Sequence, residues 1–146
     1  MKRLSILFAG LALFAAALAS VTHQSFGRGV VAGGSYAGSH FHFHVEAPED
    51  PAHENFFRFS DQGMFIPVEI AVPHILRVEF NRNSVFFVGR GTYNRTTPVV
   101  VTVTAIDGGP RGRDFLRMAA RDESGAMVHS ADGHLTQGDI VVRHSR

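Results

Sequence analysis

Gly38-Ser39-His40-Phe41-His42-Phe43-His44-Val45 is a stretch with two sides. In an extended chain successive side chains point to opposite faces, so His40, His42 and His44 share one face while Phe41, Phe43 and Val45 share the other. The stretch reads as a half-buried β-strand. Its apolar face decides the fold, and its imidazole face carries the most distinctive chemistry in the chain.

Downstream the same alternation recurs at spacings of about ten residues. Residues 47–53 hold Pro48 and Pro51 beside acidic residues and read as a loop. Residues 54–61 form a strand with Phe57 and Phe59 on one face, and Gly63 ends it. Residues 64–72 alternate again, with Pro67 marking an edge or a bulge because it has no N–H for a ladder. A strand over 75–80 would bury Leu76, Val78 and Phe80. In 85–93, Gly89 and Gly91 share a face with Phe87 and Tyr93, so a curved strand or a close neighbour needs the space there. Residues 99–105 alternate most cleanly, with Val99, Val101, Val103 and Ala105 inward. Segments 115–121, 127–130 and 140–143 supply the last strands, and Leu116, Met118 and Ala120 compete with Phe115 and Arg117 for the inward register of the first of them.

After the amino-terminal leader, no run of ten or more residues shows helical spacing. Short alternating segments with short connections predict an all-β, single antiparallel domain of about eight strands, in an up-and-down barrel or, as the alternative, a β-sandwich. The expected core is Phe41, Phe43, Val45, Phe57, Phe59, Val78, Phe80, Phe87, Val101 and Val103.

Upstream, Met1-Lys2-Arg3 precedes an apolar run to Leu18 and the small-x-small Ala17-Leu18-Ala19. These are the parts of a secretory signal peptide over residues 1–19. The run is shorter than the ~20 residues of a membrane span, and no later stretch approaches that length. Residues 20–37 are small, polar and glycine-rich, which predicts a flexible lead-in with at most a short strand over 29–32, and residues 38–146 form the β-domain. The expected destination is secreted or periplasmic. With no cysteine in the chain, disulfides and thiolate ligands are excluded and packing must supply stability. The formal charge is +1. Beyond the leader the basic residues are all arginines, scattered among acids without the basic stripe that nucleic-acid binding requires, so no nucleic-acid partner is expected.

Several motifs resemble the post-COAP domains of secreted bacterial proteins: Gly33-Gly34, Phe57-Arg58-Phe59-Ser60-Asp61, Gly89-Arg90-Gly91-Thr92, Val101-Thr102-Val103-Thr104, Asp107-Gly108-Gly109 through Asp114 and Phe115, and the closing Gly133-His134-Leu135-Thr136-Gln137-Gly138-Asp139-Ile140-Val141-Val142. The resemblance implies an exported all-β domain with no assigned activity. A shortened Asp107 loop, an outlying Arg117 and the histidine row depart from that pattern.

Strand residues i and i+2 stand about 6.5–7 Å apart, so His40/His42 or His42/His44 can each give two imidazole ligands, with a third from Glu46, His53, His74, His129 or His134. Imidazole suits zinc or copper. Such binding should be lost in His42→Ala, which removes a member of both pairs. The simpler account is a solvated face of titrating histidines. The signatures of serine hydrolases, zinc proteases and phosphate-binding loops are missing, and Asp107, Asp114, Asp132 and Asp139 fall in glycine-rich turns where Asp is common for conformational reasons. The chain therefore reads as a non-catalytic binding module, toward a metal, an apolar small ligand held among its 13 phenylalanines, or a cell-surface component, with a small secreted enzyme as the rival class.

Overall fold

The computed structural model describes residues 21–31, 38–63, 66–110 and 112–145, so the signal peptide expected over 1–19 lies outside the described residues. Eight strands follow one another: β1 (Thr22–Val31), β2 (Ser39–Ala47), β3 (Phe56–Asp61), β4 (Val68–Asn81), β5 (Ser84–Tyr93), β6 (Thr97–Ile106), β7 (Phe115–Arg121) and β8 (Met127–Ser145). Each pairs antiparallel with the next, and β8 returns to β1, closing an up-and-down barrel. The sandwich alternative is excluded by that closure.

The period-two pattern points apolar residues inward all round. Phe41, Phe43 and Val45 of β2, Phe57 and Phe59 of β3, Phe87 of β5, and Val99, Val101, Val103 and Ala105 of β6 are buried in one cluster. The rings touch inside it: Phe43 and Phe87 have centroids 5.5 Å apart, and Phe57 and Phe87 5.9 Å. Burying each such side chain stabilises the fold by roughly 1.5–3 kcal/mol. The register of β7 resolves in favour of Leu116, Met118 and Ala120, all buried, with Arg117 exposed.

Four sequence expectations are corrected. Residues 22–31 are no lead-in: β1 pairs with β2 on one side and β8 on the other. Glycine gave the opposite impression, yet Gly27 is where the Phe43 ring presses on β1, and a Cβ there would sit 2.6 Å from it. Residues 68–72 and 75–80 do not form separate strands, because β4 runs unbroken from Val68 through Asn81, with Pro67 before it; Met64 and Phe65 of the expected 64–72 strand lie outside the described residues. Along β4 the pairing to β5 slips between Ala71 and His74 and again between Ile75 and Arg77. The first slip inverts the faces, so that Ile75 points inward and Leu76 outward at 56 % exposure, and the second restores Val78 and Phe80, which reach only the margin of the core. Lastly, residues 127–130 and 140–143 are two ends of the single strand β8.

Gly89 and Gly91 take the close approach their spacing suggested: a Cβ on Gly91 would collide with the Ala71 carbonyl, and one on Gly89 with Val72. At this corner β4 folds onto β5. Outward positions carry His40, His42, Arg58 and Ser60, the reverse of a lipid-facing strand. No helix among the described residues is long and apolar enough to cross a membrane.

Candidate functional site

Since Phe41, Phe43 and Val45 point into the barrel, His40, His42 and His44 point out of it. Pairing with both neighbours sets three transverse rows on the outer wall. Val30, His40 and Ser60 stand side by side, then Arg28, His42 and Arg58, then Phe26, His44 and Phe56. The histidines therefore have three different surroundings.

His40 and His42 are exposed. His42 packs edge-on against Phe56, ring centroids 4.9 Å apart. Partial burial lowers its pKa from the ordinary value, and the Arg28 and Arg58 charges, then His44, lower it further. The same two guanidinium groups oppose a metal ion. Each is a positive charge close enough to act on the His42 ring, and each therefore repels a divalent cation placed there. A neutral ring at His42 is available as a ligand, but the charge around it is wrong for one.

His44 belongs to a different group. One position beyond it on the same face comes Glu46, which the segment between β2 and β3 covers, leaving it 8 % exposed. That segment begins with a cis Ala47-Pro48 peptide and turns at Asp50, whose Oδ1 accepts from the Ala52 N–H at 2.8 Å while its carbonyl accepts from the His53 N–H at 2.9 Å. It ends at Asn55, whose side chain accepts from the Glu46 N–H at 2.8 Å and donates to the Glu46 carbonyl at 3.1 Å. The turn delivers Asp50 and His53 over Glu46. Donor atoms of Glu46, Asp50 and His53 all lie within 4.8 Å of one another. His53 Nδ1 is 3.9 Å from Glu46 Oε2 and 3.5 Å from Asp50 Oδ2, and His44 Nε2 approaches the same Glu46 oxygen at 3.8 Å.

Two of these atoms, His44 Nε2 and Glu46 Oε2, are shut off from solvent without a hydrogen-bond partner. Leaving a buried polar atom unsatisfied costs about 1–3 kcal/mol, more when it is charged. Zinc bonds of about 2.0–2.2 Å in a tetrahedron set donors roughly 3.3–3.6 Å apart, so a small inward movement of this group suffices to hold an ion. Two imidazoles and two carboxylates suit zinc or copper.

The remaining histidines lie elsewhere. His74 is exposed beside the first β4 slip. His134 packs on Phe115, centroids 5.5 Å apart. His129 meets Phe59 at 5.3 Å, with a buried and unpartnered Nε2, and burial lowers its pKa against a smaller upward pull from Asp61. A pair that spacing could not reveal joins His23 of β1 to His144 of β8, directly opposite each other with Nδ1 atoms 2.6 Å apart. Of the four Asp residues expected in glycine-rich turns, Asp132 and Asp139 lie within β8, and Asp107 and Asp114 serve the backbone. Asp107 accepts from the Gly109 and Val142 N–H groups, and Asp114 from those of Gly108 and Ile140, which ties the loop after β6 to β8.

No family model, no curated protein and no solved structure matches the chain.

Proposed function

We propose that this chain is an exported, non-catalytic binding module that holds a divalent transition ion, zinc or copper, on the outer wall of its barrel through Glu46, Asp50 and His53, with His44 as the fourth donor. One observation carries the reading. The Glu46 carboxylate is nine-tenths buried, its Oε2 has no hydrogen-bond partner, and three further donors face that same oxygen or its immediate neighbours. Of the row His40, His42 and His44, only His44 joins this group.

The exported part of the reading rests on the leader pattern over residues 1–19 and on the resemblance to post-COAP domains, and it implies a secreted or periplasmic destination. The interior, filled by touching phenylalanine rings, favours the wall over an apolar ligand held inside.

Titration calorimetry of the metal-free protein with zinc at neutral pH tests the site. Heat from the wild type that vanishes in Glu46→Gln and in His53→Ala, but persists in His40→Ala and His42→Ala, is the expected result. No heat from the wild type, or unchanged heat in Glu46→Gln, would sink the reading. Loss confined to His42→Ala would return the site to the histidine row.

A further inference from the structure

A second feature of the outer wall lies one row away from the metal donors and has the opposite charge. Arg28 of β1 and Arg58 of β3 each stand directly opposite His42 of β2, so two guanidinium groups flank one imidazole. Neighbouring strands are about 4.8 Å apart, which places the two arginine Cα atoms roughly 10 Å from each other, and the Arg58 guanidinium lies against the Phe56 ring, 5.9 Å from its centroid. On its other side Arg28 stands opposite Asp139 of β8. Among the described residues no carboxylate forms an ion pair with either arginine.

The arginines line an open groove of about 1110 Å³ that crosses from β8 over β1, β2 and β3 to β4, with His40, Ser60, Gln62 and Gln137 also on its walls. Its one carboxylate, Glu69, is engaged by Arg95 outside the groove at 3.0 Å. What remains facing the groove is cationic and rich in neutral hydrogen-bonding groups. Guanidinium forks match carboxylate and phosphate oxygens in pairs, and a charge-assisted bond of this kind is roughly twice as strong as a neutral one.

We infer that this groove binds a small ligand through a phosphate or carboxylate group held between Arg28 and Arg58 above His42, with the Ser60 hydroxyl and the Gln62 and Gln137 amides available to its polar remainder. The site is separate from the metal donors, and neither arginine belongs to that group.

Titration calorimetry of chelator-treated, metal-free protein at low ionic strength tests it, with inorganic phosphate in one arm and glucuronate in the other. Saturable binding of at least one probe, weakened tenfold or more in Arg28→Gln and in Arg58→Gln and partly restored in Arg58→Lys, is expected. The arm that binds tells phosphate from carboxylate. Absence of saturable binding in both arms, or affinity unchanged in both glutamine variants, overturns the inference. Zinc heat retained by the folded Arg58→Gln variant shows that its loss of anion binding is local, and loss of zinc heat along with it would count against the inference by pointing to a disturbed wall.

Discussion

Asn55 clasps the backbone of Glu46 in both directions, accepting from its N–H and donating to its carbonyl, both bonds buried. A side chain thereby does what the next residue of a strand would do, extending the pairing of β2 beyond the last β3 partner at Phe56. The clasp keeps the turn pressed onto the Glu46 carboxylate.

Asn55→Ala should therefore act twice. Two buried backbone groups lose their partner, which destabilises the fold by about 1–3 kcal/mol in urea unfolding. Because Asp50 and His53 ride on the released turn, zinc heat should fall more than in a surface variant of equal stability. Unfolding with unaltered midpoint would refute the clasp.

Phe87 meets both Phe43 and Phe57 at the centre of the barrel, so Phe87→Ala opens a void that three strands share. A loss of about 3–5 kcal/mol is expected from denaturant curves, the range for a large ring removed from a packed core. Val100→Ala, on the outer side of β6, should cost far less.

Asp139 has its pKa raised from the ordinary carboxylate value, by burial first and then by Asp114 and Asp107 beside it. The folded form therefore holds its proton to higher pH than the unfolded chain, and stability falls as pH rises through the carboxylate range. Asp139→Asn removes that loss. Its melting temperature should exceed the wild type's at pH 7, with the gap closing in acid, and a lower melting temperature at pH 7 would contradict the assignment.

The opposite slope belongs to His129. Burial lowers its pKa, so the unfolded chain takes up a proton at higher pH than the native one, and stability drops as pH falls below the usual imidazole value of about 6.5. Replacing it with leucine, which also removes the unpartnered Nε2, should flatten thermal stability between neutral pH and pH 5. A profile as steep as the wild type's would place the acid sensitivity elsewhere.

What the sequence made legible follows from strict alternation. In β2, β3 and β6 every second residue is apolar, the inward face is unambiguous, and all the positions expected there are buried. Leu76 misled because a slipped register inverts faces, and register is a property of the pair β4 and β5 rather than of either segment alone. The donor group was half visible. Glu46 and His53 stood among the third ligands weighed for the histidine row, but the burial of Glu46 depends on the Asn55 clasp, and Asp50 arrives through a turn hydrogen-bonded to its own side chain. The alignment of Arg28, His42 and Arg58 joins three strands and is invisible until both pairings are known.

The barrel is sealed by a seam whose two sides lie at opposite ends of the chain, Thr22 facing Ser145 and Val31 facing Leu135. Every other pairing joins neighbours in sequence and can form as soon as its hairpin is made. The seam must wait for the last strand, and until then β1 and β7 are both open ladders able to recruit a foreign strand. Closure is thus the slowest contact to win against chain entropy. The same open ladders that close one chain on itself also fit a second copy, so the timing of the seam bears on which of the two pairings forms.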